Sequence, residues 1–277
     1  MGLRINTNLA SLYAHLNLQT NDDALNASLQ RLSSGYRINR SADDAAGLAI
    51  ATRMQAEIGG LDQAKQDAQD GISLLQTTEG ALSQTQALLQ RMRELAVEAA
   101  NDTLSSPDRT NISLELNALS SEIDRIASST DFNAKKLLDG SLATTGLTFQ
   151  LGAYDGLNLN VTIPTATAAA LTVNAGNLNI SSSGAASTTI ANIDSAITQI
   201  STQRASLGAA VNRIQSTYAS LGVQGENLNA SRSRIVDLDM ASEVVELSRH
   251  QILEQSSTAM LQQANQAPQA ILQLLHS

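Results

Sequence analysis

The sequence predicts a mainly α protein: an elongated antiparallel helical bundle or coiled coil built from both chain ends, with a small β-hairpin region in the middle. Three observations carry that expectation. Apolar residues recur in steps of three and four at both ends, the period changes to two in the middle, and only 2% of the 277 residues are aromatic. With no Trp, two Phe and four Tyr against 42% hydrophobic residues, the core must be filled by Leu, Ile, Val, Met and Ala. Such cores suit long packed helices better than sandwiches.

The first helix is expected from Leu9, Leu12 and Leu16 into Leu18, Leu25, Leu29 and Leu32, an amphipathic row. After a polar, glycine-containing break, Met54, Leu61, Ala68, Leu75, Leu82, Leu89 and Ala96 mark one heptad seam, the spacing of coiled-coil contacts. Ile112, Leu116, Leu119, Ile123 and Ile126 define a third helix. Ser106 is expected to cap it, with Pro107 at the first helical position, where a missing N–H costs nothing. Ile190, Ile193, Ile197, Ile200, Leu207, Val211 and Ile214 form a fourth, interrupted by Arg204 and continued by Tyr218 and Leu221. A last seam of Met260, Ala264, Ala267, Ile271 and Leu274 runs almost to the end, with Pro268 removing one of its hydrogen bonds and kinking it.

In the middle, Leu147, Phe149 and Leu151 alternate with polar residues, as do Leu157, Leu159, Val161 and Ile163. The Asp155-Gly156 pair between them is a hairpin-turn signal. From Pro164 to Thr189 the chain is rich in Ala, Thr, Ser, Gly and Asn and reads as a short exposed loop with at most a weak second hairpin at Gly176-Asn177. Three divisions follow. Residues 1–42 with 236–277 form an inner terminal coiled-coil domain. Residues 43–163 with 190–235 form an outer helical core domain with its hairpin near 147–163. Residues 164–189 form the exposed loop.

Charge and composition exclude several functions. A net charge of -9 and a pI of about 4.7 argue against nucleic acid, which needs clustered Lys and Arg. Zero cysteines remove disulfides, thiolate metal sites and cysteine nucleophiles together. The opening MGLRINTNLA has no apolar stretch or small-residue cleavage site of a secretory signal, and no segment reaches membrane-spanning length, so no membrane insertion is expected. His15, His250 and His276 lack partners at metal-ligand spacing. Paired acids such as Asp22-Asp23 and Asp43-Asp44 sit at helix starts, where capping explains them. No catalytic, cofactor or metal site is expected, so no enzyme. The terminal seams differ from ordinary core stripes, because no chain remains beyond them to cover an apolar face. Leu18, Leu25, Leu32, Met260, Ala264, Ala267, Ile271 and Leu274 are therefore expected to serve self-association. Too few large side chains lie on either end to offset the entropy of ordering it alone, so both ends are expected to order on assembly.

Several stretches then resemble one family. INTNLASLYA from Ile5, LSSGYRINRSADDAAGLAIATRM from Leu32 to Met54, DGISLLQTTEGAL, and LQRMRELAVEAANDT from Leu89 to Thr103 are similar to the amino-terminal part of bacterial flagellins. RASLGAAVNRI from Arg204, SRIVDLDMASE from Ser233 and AMLQQANQAPQAILQLL from Ala259 to Leu275 resemble the carboxyl-terminal part. The resemblance implies a secreted, extracellular subunit exported unfolded by the flagellar type III system, with paired ends lining a filament and self-assembly serving swimming motility. It implies contact with flagellar cap and hook-junction proteins, and with an export chaperone at the carboxyl-terminal end. It also implies recognition by the host Toll-like receptor for flagellin, through positions matching Arg91, Leu95 and Glu115. Outer variable domains of larger flagellins would fall near 164–189, where this chain is short. Glu98 and the stretch SEVVELSRHQILEQ depart from the family pattern. A hook-filament junction protein with the same ends, and a secreted helical adhesin or binding module, are the competing readings.

Overall fold

A computed structural model describes the backbone of residues 7–276 and the side chains of 7–266. Among these residues the element order is α1 (Leu9–Ser34), α2 (Ala45–Ala99), α3 (Ser106–Ser129), β1 (Asp131–Phe132), β2 (Lys135–Lys136), β3 (Leu147–Gln150), β4 (Asn158–Val161), α4 (Ser183–Val236) and α5 (Met240–His276). The mainly α expectation with a small β region holds. The chain divides into two compact units, 1–56 with 227–277 and 57–226. Their limits fall inside α2 and α4, whereas the residue pattern had suggested 42 and 236.

The 57–226 unit is organised by heptad seams. On α2, Leu61, Ala68, Leu75, Leu82, Leu89 and Ala96 are buried, and so is the interleaved row Ala64, Gly71, Thr78, Thr85, Met92 and Ala99. The two rows together step by three and four, the a/d pattern that keeps one face of a long helix against its partner. α4 answers with Ala186, Ile193, Ile200, Leu207, Ile214 and Leu221, all buried, and α3 adds Ile112, Leu116, Ile123 and Ala127. The buried threonines need no outside partner, since Thr78 Oγ1 donates to Leu74 O and Thr85 Oγ1 to Ala81 O, at 2.9 and 3.1 Å. Arg204, the apparent break in the α4 row, reaches Gln86 Oε1 at 2.6 Å and Glu79 Oε1 at 3.2 Å, so it ties α4 to α2 from the edge of the seam.

α3 starts one residue earlier than its sequence signal. Ser105, not Ser106, is the N-cap, and with Asp108 it closes a capping box, each side chain accepting from the other's backbone N–H. Ser106 is instead the first helical residue, displaced because only Ser105 has its partner acid three positions on.

The β3–β4 hairpin forms where alternation predicted it, with Leu147 opposite Val161 and Gln150 opposite Asn158. Its connection is longer than a two-residue turn and is closed by Leu151 N donating to Leu157 O at 2.8 Å. The hairpin lies on α2 at Gly71, where an added Cβ would stand 2.9 Å from the Phe149 ring. Glycine there lets strand and helix approach. A second hairpin, β1–β2, turns through Asn133 and Ala134, both with positive φ, 47° and 63°.

The segment expected as an exposed loop is corrected by the structure. Ala166, Ala168, Leu171, Val173, Leu178 and Ile180 belong to the core, and α4 begins at Ser183, ahead of Ile190. Gly176-Asn177 forms a turn, Asn177 N donating to Asn174 O, with no strand on either side. Small alternating Ala, Thr and Val suffice for burial because the backbone is fastened to neighbours. Ala168 N donates to Asp124 Oδ1 at 2.8 Å, Ser120 Oγ to Val173 O at 2.8 Å, and Ala166 N to Leu138 O at 3.0 Å. These bonds satisfy polar groups that burial would otherwise penalise.

Arg109 finishes the clasp. Its buried guanidinium donates to the carbonyls of Ala99, Asn101 and Ile180, capping the carboxyl end of α2 and holding the segment leading to α4. Arg109→Met is expected to destabilise the protein by about 1–3 kcal/mol, since it leaves carbonyls in the interior without a donor. Urea unfolding measures this, and an unchanged midpoint would contradict the assignment.

Candidate assembly and recognition surfaces

The 1–56 with 227–277 unit is built on a different seam. α1 is opened by Asn8, whose side chain accepts from Ser11 N, and closed by Gly35 in the left-handed conformation. α5 runs antiparallel to it. Asn8 Nδ2 donates to Ala264 O at 2.8 Å, Ser11 Oγ to Asn265 Oδ1 at 2.8 Å and Asn21 Nδ2 to Ser257 Oγ at 2.9 Å, and Arg31 pairs with Glu243 at 3.6 Å. Beyond the helices, Arg37 N donates to Val236 O and Leu238 N to Gly35 O, so the chain segments following α1 and preceding α5 lie side by side.

Burial reveals which residues face inward. On α1 these are Ser11, Ala14, Leu18, Asn21, Leu25, Ser28 and Leu32, in steps of three and four. On α5 they are Glu243, Leu247, His250, Glu254, Ser257, Leu261 and Ala264, in the same rhythm. Leu18, Leu25, Leu32 and Ala264 thus lie half-buried on the paired face. Met260 does not. It is 62% exposed, because the α5 seam passes through Leu261, one position on, and Met260 points outward. Ala267, Ile271 and Leu274 lie outside the described side chains. The α5 helix itself continues past Pro268.

Large apolar side chains of these helices are turned to solvent. Leu9, Leu12, Tyr13, Leu16 and Leu29 on α1, and Val244, Val245, Ile252, Leu253 and Met260 on α5, are all exposed, Tyr13 and Ile252 to 66%. The paired face of α5 mixes Glu243, His250 and Glu254 with Leu247, Leu261 and Ala264. His250 Nδ1 is shielded from solvent without a hydrogen-bond partner. This distribution departs from the usual one, in which large apolar residues are kept for the partner helix and the outer face is polar. Exposed apolar side chains clustered on neighbouring helical positions are what contact surfaces are made of.

Arg91, Leu95 and Glu115 are brought together in the other unit, in two layers. Arg91 Nη2 and Nε reach Glu115 Oε1 at 2.9 and 3.1 Å, and Nη1 reaches Glu94 Oε2 at 3.2 Å, bridging α2 to α3 at the surface. The hydrogen bond to Glu115, then that to Glu94, pushes the Arg91 guanidinium above its ordinary pKa. Leu95 is 3% exposed and lies beneath them in the core, so an outside partner meets the charged pair and not the leucine. Val97 and Leu114 stand exposed on the same two helices. They carried no motif and were not singled out from sequence. Among the described residues no cluster of His, Asp and Glu could hold a metal ion, and no helix is long and apolar enough to cross a membrane.

Comparison with known proteins is decisive. The model for the bacterial flagellin N-terminal helical region matches residues 5–143, and that for the C-terminal helical region matches 190–275. The chain belongs to the bacterial flagellin family. It is 45% identical to a flagellin of Halalkalibacterium halodurans, over 98% of this chain and 99% of that one. A Bacillus subtilis flagellin is 43% identical over 99% of this chain and 100% of its own length. A crystal structure of Bacillus cereus flagellin is 33% identical and covers 60% of this chain and 94% of its own, with a TM-score of 0.49. As a flagellin, the protein is a structural subunit of the extracellular flagellar filament. The two family matches leave 144–189 between them, which is where this flagellin places its β3–β4 hairpin and the buried segment before α4.

The link between α1 and α2 in this flagellin depends on Asp43, whose carboxylate accepts from Asn39 N and Arg40 N, both at 2.9 Å. Those bonds, Arg40 first, hold its carboxyl below the usual aspartate range. A lowered folded pKa contributes stability that is present above the unfolded value, near about pH 4, and is lost as pH falls through the folded value. The protection of the Asn39 and Arg40 amides, measured relative to their intrinsic exchange rate at each pH, is expected to be high at neutral pH and to fall below that range. Asp43→Asn should show low protection of both amides with no such pH step. A step of equal size in the variant would contradict this role.

Proposed function

We propose that the outward apolar faces of α1 and α5 are the surfaces through which copies of this chain join, and that residues 1–42 with 236–277 form the inner layer of the polymer. The observation supporting this reading is the outward apolar set just described: large apolar side chains of both helices face solvent while about half of the paired face is polar. Full burial of a leucine-, isoleucine- or valine-sized side chain is worth about 1.5–3 kcal/mol, and a neighbouring copy supplies that burial where the helix pair itself does not. Leu18, Leu25, Leu32 and Ala264 register α1 on α5; Met260 acts from the outer face. Ala267, Ile271 and Leu274 are assigned to the same assembly through their place in the terminal seam.

The reading extends to partners met during and after export. The flagellar cap and hook-junction proteins would engage the same terminal helices, and an export chaperone the carboxyl-terminal end. Near-full-length similarity to flagellins favours a filament subunit over a hook-filament junction protein or an adhesin. The Arg91–Glu115 pair, flanked by Val97 and Leu114, suits contact with a neighbouring protofilament and with the host Toll-like receptor for flagellin, with Leu95 supporting both helices from below.

Val245→Ser with Ile252→Ser is expected to leave the helical content of the monomer unchanged and to prevent filament growth from seeds, followed by light scattering and electron microscopy. Normal filaments from the double variant would overturn the proposed surface. Arg91→Ala should weaken receptor activation by the monomer by about 2 kcal/mol or more, roughly thirtyfold, as truncation of a central interface arginine does. Full activation by a correctly folded variant would remove that surface from the receptor contact.

A further inference from the structure

The chain contains three Asp-Gly pairs, Asp70-Gly71, Asp139-Gly140 and Asp155-Gly156, and the fold places them in three different chemical situations. In such a pair the backbone nitrogen of the glycine can attack the preceding side-chain carboxyl, because glycine has no Cβ to obstruct the five-membered ring that forms. Whether it does depends on how the carboxyl and the nitrogen are held.

Asp70-Gly71 lies inside α2, with Gly71 buried against Phe149. Its amide is part of the helical ladder, and closing a ring there would break the helix. Asp139 has its Oδ1 engaged by Ser141 N at 2.9 Å and Ser141 Oγ at 2.7 Å. Those bonds hold its carboxyl below the usual range. Gly140 is also confined, since a Cβ on it would meet Thr165 at 3.1 Å. Asp155 differs on every count. Asp155 and Gly156 are exposed in the connection between β3 and β4, and no atom lies within 4 Å of the place a Gly156 Cβ would occupy. The Asp155 carboxylate oxygen Oδ1 accepts from Gly156 N at 2.9 Å, so the carboxyl rests beside the very nitrogen that would attack it.

We propose that Asp155 is a site of spontaneous modification, at which the Asp155-Gly156 linkage isomerises to isoaspartate through a cyclic imide while Asp70 and Asp139 remain intact. In the first step Gly156 N bonds to Asp155 Cγ, its proton is lost, and the hydroxyl of the protonated carboxyl leaves as water. In the second step water adds to one of the two imide carbonyls. Opening at one restores aspartate; opening at the other routes the main chain through the side-chain carbon and leaves a free α-carboxylate. One water leaves and one returns, so mass is unchanged and no oxidant or enzyme is required. The product adds one carbon to a connection braced by Gln150 Nε2 donating to Gly152 O and Tyr154 O, at 2.9 and 2.7 Å. It would therefore accumulate with the age of the subunit on an exposed loop. This inference is independent of the assembly reading.

The test is ageing of the full, folded chain at physiological temperature and mildly acidic pH, followed by digestion, isoaspartyl methyltransferase labelling and fragmentation by electron transfer. Isoaspartate is expected in the Asp155 peptide at about tenfold or more the level at Asp70 or Asp139, a difference in barrier of about 1.4 kcal/mol. In chain aged in denaturant the three sites should converge. Asp155→Asn should convert faster through the same imide, with loss of ammonia, and Asp155→Glu, which would need a six-membered ring, should abolish conversion with the fold retained. Equal isoaspartate at the three sites in folded protein, or none at Asp155 while the denatured chain converts, would overturn the proposal.

Discussion

The structure depends on one geometric constraint, the alternation of three- and four-residue steps that keeps one face of a long helix against a partner. In the 57–226 unit that face is filled with Leu, Ile, Met and Ala, from Leu61 to Ala99 on α2 and from Ala186 to Leu221 on α4. Burial there is complete, and the hairpin, the Arg109 clasp and the 164–182 segment are fastened onto it. In the other unit α1 and α5 obey the same rhythm with different chemistry. Their shared face mixes Leu18, Leu25, Leu32, Leu247 and Leu261 with Ser11, Asn21, Ser28, Glu243, His250 and Ser257, while Leu9, Leu12, Leu16, Leu29, Val244, Val245, Ile252 and Leu253 point away. The same helical period thus produces a fully buried core in one case and, in the other, a mixed seam with large apolar side chains left in solvent.

That difference matters for a subunit of a filament. Polar contacts such as Asn21 with Ser257 and Arg31 with Glu243 specify register at little net gain, since exchange with water offsets most of each bond. On the proposed reading the exposed apolar side chains of α1 and α5 keep their burial energy for contact with other copies. A strongly apolar α1–α5 seam would consume that energy within the monomer. It would also leave two polar faces outward, which neighbouring subunits could not use.

Much of this was legible in the residues. The α2, α3 and α4 seams show because one kind of side chain recurs, and the β3–β4 hairpin because Leu147 to Ile163 alternates. Whole motifs carried the family resemblance that the N- and C-terminal matches then established. Other features were hidden for physical reasons. The inward row of α5 is half polar, so apolar recurrence alone points to Met260, which stands exposed one position before the inward-facing Leu261. The 164–182 segment is buried through backbone bonds to Asp124 and Ser120, partners too distant in sequence to suggest themselves. The β1–β2 turn uses Asn133-Ala134, where Ala adopts a positive φ more typical of glycine. Arg109 reads as one more helical cation until its carbonyl partners are seen. Leu95 could not be separated from Arg91 and Glu115 by sequence, because burial and exposure alternate within a single helical turn.

Hydrogen exchange of the backbone amides of α1 and α5, compared between monomer and assembled filament, tests the central claim most directly. If the outward apolar faces of these helices are completed only by other copies, their amides exchange fast in the monomer, near the rate of local opening. Protection then rises by orders of magnitude on assembly, while the α2 and α4 seams of the 57–226 unit are protected in both states. Equal, high protection of α1 and α5 in a verified monomer would contradict it, because the helix pair would then be stable without the neighbours its exposed faces are argued to need.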